Sequence, residues 1–295
     1  MNSTDPTSYV VGLIGAEIGP SLSPALHERE ADELGLRYVY RRIDIAQLGR
    51  APEDVGELVA AARQLGFDGL NITHPCKQLV VEHLDELSAD AEALGAVNTV
   101  VFDDGRAIGH NTDWPGFQAN FTRGLPDVDT DRVVLVGAGG AGAAVAHATL
   151  SLGARRLVVA DAAPERADAL VASLRERYGS DRAVASPLDD LPGELAAADG
   201  VINATPAGMA AHDGAAFSPK LLHARLWVAD VVYRPLETEL LRHARRAGCR
   251  TLDGGGMAVF QAALSFALFT GCEPDRERML RHFATLVADT RAVPC

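Results

Sequence analysis

Short apolar runs alternate with stretches of helical periodicity along most of the chain. Residues 10–14 form a brief β-type run. Residues 24–34 carry a helical pattern, with Ser23 in the N-cap position and Pro24 as the first helical residue. Positions 37–43, rich in tyrosine and arginine, predict a second strand. A helix over 53–65 is stopped by Gly66, and 69–72 is a third strand. Residues 79–94 read as one helix closed by Gly95. Two further runs, 97–102 and 107–110, flank Asp103, Asp104 and Gly105, a hairpin turn signal.

Past residue 113 the pattern restarts. Residues 114–121 read as a linking helix and 124–131 as a polar, proline-containing loop. A strand at 132–136 opens a second series, continued by strands at 157–160, 200–203, 226–232 and 250–252. Such alternation predicts an α/β fold with parallel sheets and helices on both faces. A chain of 295 residues exceeds what one core usually fills. The expected division is an N-terminal α/β domain over 1–113 and a doubly wound α/β domain over 114–255. The final helices, 256–295, are expected to pack back on the first domain.

Composition changes this picture only at its edges. The 27 basic and 40 acidic residues give a net charge of −13, which disfavours nucleic acid as a partner. The Arg-Arg pairs at 41–42, 155–156 and 245–246 read as solvated faces. Cys76, Cys249, Cys272 and Cys295 form no CxxC pair and fit a reducing compartment. The histidines show no HxxxH or HExxH spacing, so no metal is expected. The polar stretch Met1 to Ser8 lacks the features of a signal peptide. The longest apolar stretch, 257–269, is too short to span a bilayer and contains Gln261 and Ser265. A cytoplasmic protein with no membrane contact is expected, and a homodimer is compatible with the chain.

The strand at 132–136 runs into Gly137-Ala138-Gly139-Gly140-Ala141-Gly142, a GxGxxG motif followed by an apolar helix over 143–152. Gly137 permits the tight turn, Gly139 lets a pyrophosphate approach the backbone, and Gly142 lets helix and strand pack closely. The helix N-terminus adds unpaired N–H groups and partial positive charge. The next strand ends at Asp161, nineteen residues after Gly142. An acid there accepts hydrogen bonds from ribose hydroxyls and repels a 2′-phosphate, which favours NAD over NADP. The other reading of Asp161 is a cap for the helix at 164–170, and Arg166 stands where it could meet a phosphate. Asn203-Ala204-Thr205-Pro206 follows another strand, so Asn203, Thr205 and Pro206 are expected to line the cofactor crevice.

Three polar clusters lie at strand ends in the first domain. Ser21 and Ser23 place two hydroxyls before a helix, where they can converge on a carboxylate or simply cap. Asn71-Ile72-Thr73-His74-Pro75-Cys76-Lys77 holds one of only two lysines, the other being Lys220. Gly109-His110-Asn111-Thr112-Asp113 follows the hairpin, and Asn98 opens the strand before it. His74 and His110 read equally well as functional residues and as residues that only pack or hydrogen-bond.

These clusters resemble the shikimate/quinate dehydrogenase family over nearly the whole length. The matching segments are those three clusters with Ala25–His27, Gly95–Thr99, the glycine motif, Asn203–Met209, Asp230–Pro235, and Gly256-Met257 with Gln261. The resemblance implies a substrate domain beside a Rossmann domain. It assigns Ser21 and Ser23 to the substrate carboxylate, and Thr73, Asn98 and Gln261 to ring hydroxyls with Asn71 in support. Lys77 and Asp113 become the catalytic pair. Tyr233 borders substrate and nicotinamide, Met257 lies against the nicotinamide, and Val232 and Gly255 belong to the same cofactor segment.

Departures from the family refine the expectation. Where many NADP-dependent members carry Asn-Arg-Thr, this chain has Asp161-Ala162-Ala163. His74 and Asp161 together resemble the NAD-using branch that handles quinate as well as shikimate, although that branch often has Thr where Ser23 stands. Gly254-Gly255-Gly256 reads as a flexible segment before Met257, or as a plain loop. The leading expectation is an NAD-dependent dehydrogenase of shikimate and quinate. The alternatives are an NADP-dependent biosynthetic shikimate dehydrogenase, a relative acting on an aminated or otherwise substituted analogue, and a non-catalytic NAD-bound sensor.

Overall fold

The computed structural model describes residues 8–209 and 212–292, with side chains placed to 289. Cys295 and the segment before Ser8 lie outside the described residues. The chain divides into two compact units, one of residues 8–112 with 259–292, the other Asp113–Ala258.

The first unit is built on a six-stranded sheet. Its strands are β1 (Ser8–Gly15), β2 (Arg37–Asp44), β3 (Gly69–Ile72), β4 (Glu86–Leu87), β5 (Thr99–Asp103) and β6 (Arg106–His110), in the order β2-β1-β3-β5-β6-β4. Its helices are α1 (Ser23–Glu33), α2 (Val55–Gln64) and α3 (Ala89–Leu94). The alternation of a strand sorts β1 between two cores. Val11 and Leu13 join Tyr40 and Phe269 on one face. Ile14 joins Val55, Val59, Leu70, Ile72 and Val100 on the other.

The sheet is mixed rather than parallel, which corrects the expectation for this unit. β3 meets β5, and β5 meets β6, in antiparallel register. The cause is the predicted hairpin: Asp104 (φ 46°) and Gly105 (φ 75°) both take left-handed conformations, as a two-residue primed turn requires.

A second correction concerns 79–94. In place of one helix, the chain forms a 3-10 turn at Val81–His83, then β4, then α3. Pairing with β6 overrides the helical pattern. Asp85 N–H donates to Ala107 O, and its carboxylate accepts from Ala107 N–H at 2.7 Å. Ser88 then caps α3 by accepting from Ala91 N–H. Gly95 does close the segment, at φ 57°.

The second unit holds β7 (Arg132–Val136), β8 (Arg156–Ala160), β9 (Ala183–Ala185), β10 (Gly200–Asn203), β11 (Trp227–Asp230) and β12 (Arg250–Leu252), ordered β12-β11-β10-β7-β8-β9. Every pairing is parallel. This is the doubly wound order, with its reversal between β7 and β10. Its helices are α4 (Asp113–Gly124), α5 (Gly140–Ser151), α6 (Pro164–Tyr178), α7 (Leu191–Ala196) and α8 (Glu239–Arg246). The sequence reading omits β9, α7 and α8. Two are very short, and α8 carries only Leu240, Leu241 and Ala244 as buried anchors among charged residues. The central strands are apolar throughout because both sheet faces are covered.

α9 (Gly255–Thr270) and α10 (Arg276–Ala292) end the chain, and the division between units falls inside α9. Gly254 lies in the bend before α9, and Gly255 and Gly256 open that helix. A Cβ at Gly254 would lie 2.2 Å from Val231 O, and one at Gly256 would lie 1.9 Å from Asn120 Oδ1. Close approach, not mobility, requires these two glycines. No helix among the described residues is long and apolar enough to cross a membrane.

Gly200 shows the same constraint inside the sheet. A Cβ there would stand 1.9 Å from the Trp227 ring. Gly200→Ala is expected to cost roughly 1–3 kcal/mol by overpacking, measured as the change in urea unfolding free energy.

Candidate active site

In the first unit the loop after β1 is shaped by a buried carboxylate that the sequence reading overlooks. Asp44 accepts hydrogen bonds from the backbone N–H groups of Glu17, Ile18 and Ala46 at 3.0–3.1 Å. That clamp holds Glu17 at φ 55° and sets the entry into α1. Leu22, not Ser23, is the N-cap of α1, and Ser23 is the first helical residue. Ser21 takes the turn position instead, its Oγ accepting from Ser23 N–H at 3.3 Å. Arg42 donates to Ser21 O at 2.8 Å, bringing a cation to the segment that carries both serines.

Beyond the ends of β3, β5 and β6 lies a network of amides and hydroxyls. The two hydrogens of Asn71 Nδ2 are shared among Asn98 O, Thr99 Oγ1 and Ser265 Oγ at 3.1–3.2 Å, and its Oδ1 accepts from Tyr40 OH at 2.7 Å. Asn98 Oδ1 accepts Thr112 N–H at 2.8 Å, while Asn98 Nδ2 faces Thr112 Oγ1 at 2.8 Å and Gln261 Oε1 at 3.5 Å. So Asn71, Asn98 and Gln261 are brought together, with Asn71 and Asn98 buried and Gln261 half-buried. Lys77 is half-buried and linked to the same region, its carbonyl accepting from Val97 N–H at 2.9 Å. Thr73 is half-buried on the loop from β3, where its backbone N–H donates to Ile14 O. His74 is exposed; His110 is half-buried and held toward its neutral form by that burial.

Asp113 begins α4 in the second unit and is buried. There the glycine motif takes the form its spacing predicts. Gly137 adopts φ 107°, and a Cβ on it would meet Ala204 backbone atoms at 2.8 Å. The loops after β7 and β10 therefore touch at the point where the strand order reverses. A Cβ on Gly142 would fall 2.1 Å from Gly137 O, whereas one on Gly139 would meet nothing within 4 Å. Gly139 is thus not demanded by internal packing; its bare backbone leaves clear space in front of the first turn of α5, the place a dinucleotide pyrophosphate requires. Gly140, Ala141 and Gly142 form that turn, whose N–H groups lack intrahelical acceptors.

Asp161 does not cap α6, whose N-cap is Ala163. Its carboxylate accepts from Ala163 N–H at 2.9 Å and from Ala138 N–H at 2.7 Å, latching the end of β8 to the glycine loop. Arg166 is exposed on the first turn of α6.

The expectation for Asn203 needs correction. It is fully buried, donates to Ala207 O and Asp230 Oδ1, and accepts from Thr205 N–H and Oγ1. Its bonding capacity is spent on shaping the loop rather than lining a crevice. Thr205 is half-buried and Pro206 exposed on that loop. Gly255 N–H is engaged by Asp253 Oδ1 at 2.9 Å, and Met257 is packed with the core of this unit. Val232 is buried and Tyr233 half-buried on the loop after β11.

The chain matches three family models in succession. Residues 13–100 match the shikimate dehydrogenase substrate binding domain, 120–217 the shikimate / quinate 5-dehydrogenase model, and 254–282 the shikimate 5′-dehydrogenase C-terminal domain. A protein of Streptomyces avermitilis named shikimate dehydrogenase (NADP(+)) is 67% identical, over 97% of this chain and 98% of its own length. The chain belongs to the shikimate/quinate dehydrogenase family. A second family member, the Corynebacterium efficiens protein named quinate/shikimate dehydrogenase (NAD(+)), is 50% identical over 95% of this chain and 99% of its own. Among solved members, quinate dehydrogenase from Corynebacterium glutamicum in complex with NAD superposes with a TM-score of 0.89 at 48% identity, covering 95% of this chain and 99% of that one.

Within this family frame, the sequence reading misses Asp44, Tyr40, Ser265 and the carboxylate of Asp230. Asp230 alone carried a usable signal, an acid ending an apolar strand. It is 2% exposed and accepts from Asn203, Val232 N–H and Thr238, which in turn caps α8. Burial outweighs those bonds and pushes its carboxyl up from 3.8 to about 6. Between these values the folded state keeps a proton that the unfolded chain releases. Stability from this group therefore falls as pH rises from about 4 to 6 and is level above. The stability difference between wild type and Asp230→Asn is expected to shrink by roughly 2–3 kcal/mol across that window, measured by urea unfolding at matched ionic strength.

Proposed function

We propose that this chain is an NAD-dependent dehydrogenase that interconverts shikimate and 3-dehydroshikimate, and quinate and 3-dehydroquinate, in the cytoplasm. The observation that carries the substrate half is the placing of the half-buried Gln261 amide, able to donate to and accept from ring hydroxyls, 3.5 Å from the Asn98 amide that sets it. Thr73 adds a hydroxyl, and Ser21 and Ser23 take the carboxylate on the segment held by Asp44. Lys77 and Asp113 are the acid–base pair. As the carbinol carbon loses hydride, the Lys77 amine takes the proton from its oxygen. In the reverse direction the Lys77 ammonium returns that proton, and Asp113 orients the amine. When bound, the nicotinamide supplies the hydride acceptor. Tyr233, Val232, Gly255 and Met257 belong to the segment that faces it.

NAD is supported by Asp161. Two of its acceptor sites are used by backbone N–H groups, and a carboxylate offers more than two. The remainder suit ribose hydroxyls, and the charge repels a 2′-phosphate. Ala162 and Ala163 add no cation beside it. A second reading, an NADP-linked enzyme, is favoured by Arg166, which is exposed and has no ion-pair partner among the described residues. The relatives from Streptomyces avermitilis and Pseudarthrobacter chlorophenolicus also carry NADP(+) in their names.

Initial rates with shikimate and quinate, each with NAD+ and NADP+, separate the two readings. The expected result is a higher kcat/KM with NAD+; a clear NADP+ preference overturns the role given to Asp161. Asp161→Ser combined with Ala162→Arg is expected to move the preference toward NADP+. Lys77→Ala is expected to lower kcat by roughly a hundred-fold or more, read from steady-state rates at saturating cofactor.

A further inference from the structure

We propose that Ser265, which lies inside α9 among apolar neighbours, is a positioning residue: its hydroxyl fixes the orientation of the amides that meet the substrate's ring hydroxyls. The inference rests on the substrate reading above. Ser265 is completely buried, beside Ala262, Ala263 and Phe266.

A hydroxyl carries one hydrogen and two lone pairs. Ser265 Oγ–H donates to Gln261 O, one turn earlier, at 2.9 Å. That spends its only hydrogen, so its remaining contacts are donated into it. Asn71 Nδ2 does so at 3.1 Å. The last lone pair is left for Thr112 Oγ1 at 3.1 Å, because Thr99 Oγ1, at 2.9 Å, has Asn98 Oδ1 as its own acceptor at 3.1 Å.

The direction of these bonds is set from outside the serine. Asn98 Oδ1 takes a backbone N–H, that of Thr112, and a backbone N–H cannot be reversed. Asn98 Nδ2 must then donate to Thr112 Oγ1. Accepting there turns the Thr112 proton away from the amide, and Ser265 is the acceptor on that side. Asn71 is fixed likewise, because its Nδ2 faces the Asn98 carbonyl oxygen. Ser265 thus receives the protons of the network and also holds the backbone carbonyl of Gln261. Without it, Thr112 Oγ1–H turns to its other acceptor, Asn98 Oδ1 at 3.2 Å, and the Asn98 and Gln261 amides lose their common setting.

The test is steady-state kinetics of wild type, Ser265→Ala and Ser265→Cys with NAD+ and NADP+. The substrates are shikimate and the two shikimate analogues that keep the reacting hydroxyl and lack one of the other two. Ser265→Ala is expected to raise KM for shikimate about ten-fold, the worth of one hydrogen bond, with kcat changed by less than about two-fold. For one analogue, the one without the hydroxyl that Asn98 and Gln261 meet, the KM of wild type and variant should agree. Ser265→Cys keeps the volume but is a weaker donor and acceptor, so it falls between the two. An unchanged KM for shikimate overturns the inference, as does an equal loss with all three substrates, which marks a purely structural role. If Ser265→Ala does not fold, the same ratios for Ser265→Cys decide. Absence of wild-type turnover with shikimate and quinate would instead overturn the substrate reading itself, and this inference with it.

Discussion

The side-chain oxygen of Asn98 accepts the backbone N–H of Thr112 at 2.8 Å in a place where neither group sees water. Much of the first unit is arranged around that bond. Leaving either group unpaired there would cost more than any one apolar contact nearby contributes. β3, β5 and β6 must therefore end level with one another, and α9 must present a hydroxyl at the right turn. The reward is rigidity: amides that would otherwise rotate are held by bonds whose direction a backbone donor dictates.

The second unit meets a comparable demand with glycine rather than amide. At the reversal between β7 and β10 two loops approach so closely that side chains are excluded at Gly137 and Gly142. Gly139 differs, because nothing inside the protein comes within 4 Å of a side chain placed there. Behind this surface, Asn203, Asp230 and Thr238 form a buried chain that ties the loop after β10 to the start of α8. The Asp161 latch on Ala138 does the same for the end of β8. The loops after β7, β8 and β10 are thus braced by polar side chains, fully buried in Asn203, Asp230 and Thr238 and half-buried in Asp161.

The strands of the doubly wound sheet are legible in the sequence because burial on both faces leaves continuous apolar runs. The glycine motif is legible because each glycine answers a local steric need. The hairpin at Asp104-Gly105 is legible from turn chemistry. The segment 79–94 is not, because its helical pattern is genuine and only pairing of Glu86 and Leu87 with β6 breaks it. Gly254 and Gly256 read as flexible because glycine's usual license is conformational; here the reason is the oxygen of Val231 and the amide of Asn120, far off in sequence.

Residue types and their spacing by themselves determined the α/β class, the glycine motif between strand and helix, and the polar clusters at the strand ends. Periodicity and turn chemistry act between near neighbours, so one strand or loop at a time suffices to read them. Tertiary structure alone decided which polar residues are consumed within. Asn203 reads as a crevice residue in the sequence and is spent internally, whereas Ser265 looks like an incidental serine in an apolar helix and meets polar groups from three other segments. Hydrogen-bond satisfaction in a buried site is settled by partners up to 194 residues apart, and no local pattern records them.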